Sequence, residues 1–334
     1  MRCLVLADRL SADGWTCVFA CDGETLGVVP ALARSPHRSI VLHEGARPAD
    51  ALMELVSDGC DLLVVDDYGL DAGFEKALRG WARAIVVIDD LANRPHDCDL
   101  LLDMSLGRHA TDYAERVPPA CRLLIGPSYA LLRPQFAAGR AAALIRRRQA
   151  PPVGRLLVSL GGTDPHGLTG RVLEGVVASG LALSVDVVAG LAETTDRDHL
   201  RDKAAAIPRP VRLLAGVEDM AGLMSGADLA VGAGGGSALE RCCLGLPTLL
   251  IVTAENQTLQ ANAIAQAGGA GLLGWHERVT PAKIATAINR LAGDAHGRSA
   301  MAEAAAALCD GEGAKRLVEA IREAVKRSPA RPRA

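Results

Sequence analysis

The stretch from Ala227 to Gln257, ADLAVGAGGGSALERCCLGLPTLLIVTAENQ, decides the predicted fold. It opens with an apolar run typical of a buried parallel strand, which the glycine-rich turn 232–236 interrupts before a helical pattern resumes at Ser237. A second apolar run over 247–253 ends in the polar cluster Glu255-Asn256-Gln257. Because both strands are predicted to be parallel and adjacent, their ends bring polar groups to the same edge of the sheet.

The glycine turn in this stretch is a candidate site for a phosphate or diphosphate. Glycines let a ligand approach the backbone closely, and the start of a helix presents unpaired N–H groups and a positive dipole end. Ser237 is predicted to be the N-cap, and Glu240 is either a capping-box acid or an acceptor for sugar hydroxyls. A turn used only for packing is the alternative. A dinucleotide fingerprint fits poorly, because Ser237 stands where G-x-G-x-x-G has its third glycine.

Composition limits the class of protein. With 334 residues, 49% of them hydrophobic, the chain is large enough for two domains. Its net charge of −3, with both signs mixed, gives no reason to expect a nucleic-acid partner. Neither a membrane-spanning apolar run nor a signal peptide is recognisable, so we expect a cytoplasmic protein without a membrane anchor. Nine cysteines, with no C-x-x-C pair and no histidines at zinc spacing, predict reduced thiols.

Strand and helix patterns alternate along most of the chain, which predicts the α/β class with largely parallel sheets. Residues 1–13 are predicted to be a helix with no strand before it. The predicted strands lie at 16–21, 39–43, 62–66, 84–89, 99–103, 122–126, 155–160, 184–189, 211–215, 228–232 and 247–253, and the predicted N-terminal helices at 24–34, 49–58 and 71–82.

Two changes of pattern predict the domain organisation. The basic segment 137–152, which ends in two prolines, is predicted to be an exposed linker between an N-terminal α/β domain, 1–136, and a C-terminal one, 153–310. Its arginines 146–148 are predicted to be a solvated helix end. Residues 311–334 are predicted to form a C-terminal helix and a disordered tail.

Polar clusters follow four of the predicted strands at their carboxyl ends. The first two are Asp66-Asp67-Tyr68-Gly69 and the segment 89–94, and the others are Gly161-Gly162-Thr163-Asp164 and the glycine turn. Turns held by Asx capping are the alternative for each. The paired acids could also be magnesium ligands, but acids at a strand end more often fix loop backbones, and Arg94 is close enough in sequence to pair with one of them. His96 is the histidine nearest to these clusters, but a lone histidine in a turn is usually structural.

Several of these runs together resemble a known family, the UDP-sugar hydrolase of pseudaminic acid biosynthesis, from Met1 to about Trp275. The runs are VVDDYGLD (64–71), VIDDLANRPHDCDLLLD (87–103), GPSYALLRPQF (126–136), VSLGGTDP (158–165), GAGGGSALERCCLGLP (232–247) and ENQ (255–257). The resemblance implies a GT-B-like fold, in which two Rossmann-type doubly wound domains face a cleft. It also implies that neither a metal nor another cofactor is needed.

The resemblance further implies a reaction and a set of site residues. Water would displace UDP at the anomeric carbon of a 2,4-diacetamido-2,4,6-trideoxy hexose with inversion, and aligned N–H donors would stabilise the leaving group. The expected partner is this UDP-sugar, bound by a monomer. The residues expected to be catalytic are Tyr68 and Asn256, and those expected to bind substrate are Asp67, Gly161, Gly162, Thr163, Gly234, Gly235, Gly236, Ser237, Glu240 and Gln257.

One part of the family pattern is not found. The family carries a strand and a G-x-G-H motif before the segment that corresponds to Met1, and that histidine is its expected general base. We therefore expect the first N-terminal strand and the histidine to be missing, either because the start was placed too late or because the chain is a variant without the base. In the second case His96 and Asp67 are candidate substitutes. The alternatives to hydrolysis are a GT-B glycosyltransferase and a catalytically impaired UDP-sugar binding protein.

Overall fold

The computed structural model describes residues 1–42, 48–161, 164, 166–189 and 194–327. The chain forms two compact units: unit 1 is Met1–Leu132 with Glu312–Ala334, and unit 2 is Arg133–Gly311. All strand pairs of the described residues are parallel and helices alternate with them, which confirms the predicted α/β fold.

The helices and strands are numbered here in chain order. The helices are α1 (Arg2–Ala12), α2 (Gly23–Val28), α3 (Pro30–Ala33), α4 (Pro48–Leu55), α5 (Ala72–Ala77), α6 (Pro134–Arg148), α7 (Leu168–Ser179), α8 (Thr194–Ala205), α9 (Met220–Gly226), α10 (Ser237–Cys243), α11 (Thr258–Gln266), α12 (Pro281–Gly293), α13 (Ala295–Leu308) and α14 (Gly313–Arg327). The strands are β1 (Val18–Cys21), β2 (Arg38–Val41), β3 (Cys60–Val65), β4 (Ala82–Ile88), β5 (Leu100–Asp103), β6 (Arg122–Ile125), β7 (Arg155–Ser159), β8 (Ser184–Val188), β9 (Val211–Leu214), β10 (Leu229–Ala233), β11 (Thr248–Val252) and β12 (Gly271–Trp275).

Unit 1 contains two separate parallel sheets. One pairs β1 with β2, and the other has the order β3-β4-β5-β6. Strand β4 is apolar on both faces, as is typical of a parallel strand covered on both sides. One of its faces packs against α1 and α14, so that the core of unit 1 joins both ends of the chain.

Unit 2 has a six-stranded sheet of order β12-β11-β10-β7-β8-β9. The first strand, β7, is central, and the strand order reverses between β7 and β10. In doubly wound sheets this reversal opens a crevice at the carboxyl ends of the strands where ligands bind. The edge strand β12 was not predicted, because two of its five residues are glycines and glycine is unfavourable in strands.

The predicted linker at 137–152 is wrong for most of its length, because helix α6 of unit 2 runs through it to Arg148. Arg146 forms an ion pair with Asp228. Arg147 is 5% exposed and donates to the carbonyl oxygens of Met224, Ser225 and Ala227 at the end of α9. Helix carboxyl ends attract cations, so this basic run is part of the packing and only Arg148 is exposed as predicted.

The other differences from the predicted elements are smaller. The helix predicted at 24–34 is divided into α2 and α3 at Pro30, which lacks the N–H that a continuous helix needs. The C-terminal segment forms α14 and belongs to unit 1. The predicted disordered tail lies outside the described residues from 328 onward.

Candidate functional site

The reversal point of the unit 2 sheet gathers three of the predicted clusters. Strands β7, β10 and β11 are neighbours, and their carboxyl ends lead to Gly161, to the glycine turn and to the 3-10 turn Glu255–Gln257. Gly161 has φ +118°, a conformation that residues with side chains rarely adopt. Gly162 and Thr163 lie outside the described residues.

The glycines of the turn differ in what surrounds them. A Cβ at Gly232 would lie 2.6 Å from Cζ of Arg241, and one at Gly234 would lie 2.8 Å from Cβ of Ala261. At Gly235 the nearest atom would be 3.6 Å away, and at Gly236 no atom lies within 4 Å. Packing therefore requires the first two glycines, whereas no described residue of unit 2 requires Gly236 to be glycine.

Two glutamines hold the backbone of the turn. Oε1 of Gln257 accepts from the Gly234 amide at 3.2 Å and from the amide and hydroxyl of Thr253. Gln260 donates to the carbonyl oxygens of Gly234 at 2.8 Å and Gly235 at 2.9 Å. Gln257 was expected to face the sugar or its phosphates, but its side-chain oxygen is committed to the turn. Gln260 was missed, although its spacing of three from Gln257 at a helix start places both on one face.

The turn also presents N–H groups that other described residues do not use. The amides of Gly235 and Gly236 donate to no acceptor within the described part of the chain, and Gly236 is exposed. Gly236 rather than Ser237 occupies the N-cap position, and Ser237 begins α10 without a capping bond, contrary to the prediction. The hydroxyl of Ser237 instead accepts from Arg241 at 3.2 Å.

Glu240 is half-buried in the first turn of α10 and forms no capping box. Its carboxylate lies 3.7 Å from the guanidinium of Arg133. Burial raises the pKa of Glu240, and Arg133 opposes that shift only in part. Arg133 is itself held by Glu218 O at 2.9 Å and by the ring of Phe136. Asn256 is exposed in the neighbouring 3-10 turn.

In unit 1, Tyr68 follows strand β3 and is 51% exposed. Its hydroxyl donates to Asp90 at 2.9 Å, after strand β4, and Arg2 contacts the same carboxylate at 3.2 Å. Arg2 also pairs with Asp66. Asp67 accepts from the Gly69 amide at 2.6 Å, which makes it an Asx-type brace of its own turn. Tyr68 and Asp90 are thus the polar pair brought together at this sheet edge.

Below this pair lies a buried network that the sequence did not predict. Tyr113 donates to Asp89 and Asp103 at 2.9 Å each, and both carboxylates are fully buried. Burial raises the pKa of Asp103, whereas bonds from Ala92, Tyr113 and Arg94 outweigh burial and lower the pKa of Asp89. Arginines accompany the acids that were candidate magnesium ligands. Within the described residues no group of three or more His, Cys, Asp or Glu is placed to hold a metal.

His96 is buried and its Nδ1 lies 2.7 Å from Oε1 of Glu75, which is also buried. Its Nε2 is buried and has no hydrogen-bond partner among the residues that the structure describes. A ring enclosed in this way cannot act as a base on an exposed substrate, so the structure places His96 among structural residues.

Several known proteins are similar to this chain in sequence. A family model for the erythromycin biosynthesis protein CIII-like C-terminal domain matches residues 177–320. The spore coat polysaccharide biosynthesis protein SpsG of Bacillus subtilis is 28% identical over 278 residues, 81% of this chain and 79% of SpsG. The UDP-2,4-diacetamido-2,4,6-trideoxy-beta-L-altropyranose hydrolase of Campylobacter jejuni is 26% identical over 183 residues, 53% of this chain and 62% of the hydrolase.

Among solved structures, MurG of Acinetobacter baumannii has a similar fold. The TM-score is 0.67 at 14% identity, and the similarity covers 96% of this chain and 95% of MurG. The fold is therefore GT-B-like, as predicted. No helix in the described part of the chain has the length and apolar character needed to cross a membrane.

Proposed function

We propose that this chain binds a UDP-linked sugar and hydrolyses it to UDP and the free sugar. The observation that carries the proposal is the glycine turn at the reversal point of the unit 2 sheet, where two backbone amides donate to no described residue. The similarity to the Campylobacter jejuni hydrolase supports a 2,4-diacetamido-2,4,6-trideoxy hexose as the sugar, and pseudaminic acid biosynthesis as the context.

Each of the proposed site residues has a separate chemical role. Gly161 and the turn Gly234–Ser237 take the diphosphate, and Glu240 accepts from ribose hydroxyls. A water molecule attacks the anomeric carbon with inversion, the C–O bond to UDP breaks, and the turn amides stabilise the charge that develops on the leaving phosphate. Asn256 and Tyr68, which are each exposed within their own unit, are the residues proposed to be catalytic.

Asp90 is the carboxylate we propose to take up the proton of the attacking water, directly or through Tyr68. It holds the Tyr68 hydroxyl at 2.9 Å. Of the other carboxylates after β3 and β4, Asp66 pairs with Arg2, Asp67 braces its own turn and Asp89 is fully buried. A positioned acid–base group of this kind typically contributes about 10²–10⁴-fold to a rate.

A GT-B glycosyltransferase is the second candidate. It is favoured by the match to the erythromycin biosynthesis protein CIII-like domain and by the structural similarity to MurG. Such an enzyme would use the same UDP site but pass the sugar to an acceptor other than water.

The test is release of UDP from UDP-2,4-diacetamido-2,4,6-trideoxy-β-L-altropyranose without any added acceptor, with UDP and free sugar quantified by chromatography. Hydrolysis predicts equal amounts of both, and Asp90→Asn should abolish the release while Asp58→Asn, on the exposed surface of the same unit, should not. Release that requires an added acceptor would establish the transferase instead. Binding of the nucleotide sugar with no turnover would indicate the binding protein.

A further inference from the structure

Arg241 is a buried cation directly beneath the glycine turn. It is 1% exposed, and its guanidinium lies against the backbone of Gly232, where a Cβ would come within 2.6 Å of Cζ. It donates to the carbonyl oxygen of Ala233 and to the hydroxyl of Ser237. These bonds link the end of β10 to the start of α10, which are the two sides of the turn.

The bonding of Arg241 differs from that of three other arginines that brace unit 2. Arg140, Arg147 and Arg298 each donate to three or four carbonyl oxygens. Within the described residues Arg241 has one carbonyl and one hydroxyl as acceptors, and its Nε has no partner there, a feature it shares with Arg147. No carboxylate among these residues accepts a hydrogen bond from Arg241, although the preceding residue, Glu240, attracts its charge. Arg241 therefore has fewer hydrogen-bond acceptors than the other three arginines.

Burying a charge is costly, and the hydrogen bonds of Arg241 and the neighbouring Glu240 offset that cost only in part. Burial lowers the pKa of Arg241 to about 10, so the guanidinium is still protonated at neutral pH. Helix α10 has only seven residues, so its dipole is a weak source of positive potential for the turn. Arg241 supplies a full positive charge at the same place and in a setting with little solvent to screen it.

We propose that Arg241 is the positioning residue of the diphosphate site: it stays beneath the turn, holds Ser237 and the Ala233 carbonyl in place, and supplies the positive charge that an anionic ligand compensates. The inference rests on the proposed function, because it requires a diphosphate at the turn. The preference of the turn for an anionic ligand then comes from a residue that does not touch the ligand. It also explains Gly232, because any side chain there would displace the guanidinium.

The experiment compares UDP with uridine, which lacks the phosphates, by calorimetric titration of the full chain. Arg241→Gln keeps hydrogen-bonding groups but removes the charge, and Arg241→Lys keeps the charge. We expect Arg241→Gln to lower UDP affinity about tenfold or more while uridine affinity changes little, and Arg241→Lys to lie between it and the natural chain. Arg147→Gln is the matched control, because it removes an equally buried arginine of unit 2 and should leave the UDP-to-uridine ratio unchanged.

An unchanged UDP-to-uridine ratio in Arg241→Gln, or an equal loss in Arg147→Gln, would overturn the proposal. If Arg241→Gln does not fold, the proposal can still be tested on the natural chain. Salt screens a buried charge less than it screens surface charges, so the preference for UDP over uridine should persist in about 0.5 M NaCl. Its collapse at that salt concentration would assign the preference to surface cations. If the natural chain binds uridine but has no preference for UDP, Arg241 has no such role; if it binds neither, the proposed function itself fails.

Discussion

Gly234 and Gly236 are two residues apart in one turn, yet only Gly234 is required by packing. A methyl group at Gly234 would meet Ala261, whereas Gly236 has helical φ and open space around its Cα. Gly236→Ala should therefore leave the free energy of unfolding nearly unchanged but weaken UDP binding, since the ligand would have to approach that methyl group. Gly234→Ala should lower stability by about 1–3 kcal/mol.

Urea unfolding and UDP titration of both variants test this pair of expectations. If Gly236→Ala binds UDP as the natural chain does, no ligand approaches the turn at that residue.

Glu240 is a proposed site residue whose burial lowers the stability of the folded chain. Because burial raises its pKa in the folded chain, its ionised form is disfavoured by folding, and that cost is fully present above the folded-state pKa. Glu240→Gln should therefore be more stable than the natural chain near pH 7, and the difference should shrink as the pH falls toward the usual range of a glutamate. UDP affinity should fall by about 1–3 kcal/mol through lost ribose hydrogen bonds.

Thermal unfolding from pH 4 to pH 8, together with UDP titration, measures both effects. Glu255→Gln, at an exposed position near the same sheet edge, serves as the control. Loss of stability in Glu240→Gln near pH 7 would mean that its pairing with Arg133 outweighs burial.

Tyr68 carries its hydroxyl at an exposed position with Asp90 as its acceptor. Tyr68→Phe removes that hydroxyl without changing the ring, so we expect UDP release to slow by about 10²-fold or more and UDP affinity to be nearly unchanged. Steady-state rates and UDP titration separate the two effects. A parallel fall in both would make Tyr68 a nucleotide contact or a structural residue.

At the scale of elements, the ends of β4 and β5 are joined by Tyr113. Its single hydroxyl is the donor shared by Asp89 and Asp103. Tyr113→Phe removes this donor from two buried carboxylates and should lower the free energy of unfolding by about 1–3 kcal/mol. Because burial raises the pKa of Asp103, this residue is the first of the two to take up a proton, and the cost should shrink as the pH is lowered.

Urea denaturation at pH 8 and pH 5 compares the free energy of unfolding of Tyr113→Phe with that of the natural chain. Tyr129→Phe, the same change at a half-buried position of unit 1, is the control. A cost that does not depend on pH would contradict the role given to Asp103.

At the scale of the whole molecule, unit 1 is built from both ends of the chain. Leu317 of α14 is fully buried in a core shared with α1 and β4. Leu317→Ala should therefore lower the stability of unit 1 by about 2–5 kcal/mol, although the substitution lies far along the chain from the strands that it affects. The proposed nucleotide site lies in unit 2, so UDP affinity should change little.

Hydrogen exchange of the two units, followed with and without UDP, reports where stability is lost. Leu291→Ala, in the core of unit 2, should instead lower the exchange protection of unit 2 and leave that of unit 1 nearly unchanged. Loss of exchange protection confined to unit 2 in Leu317→Ala would contradict this division.

The sequence by itself was sufficient for the features that depend on local pattern. Alternating apolar runs predicted the parallel strands, and the glycine turn was placed correctly between β10 and α10. The polar clusters were predicted to follow strand ends, and β3, β4, β7 and β10 indeed precede them. These features follow from periodicity and from the backbone freedom of glycine, both of which act over a few neighbouring residues.

Only the tertiary structure decided how the clusters are used. Gln260 and Arg241 brace the turn, Tyr113 joins two acids, and Arg147 is buried in a run that looks solvated. Each of these roles depends on a partner that the order of strands and the packing of helices bring close. Local pattern carries no information about that partner, and so the same arginine or glutamine can be a ligand contact, a brace or a surface residue. The choice is made by burial and by the nearest hydrogen-bond acceptor in the folded chain.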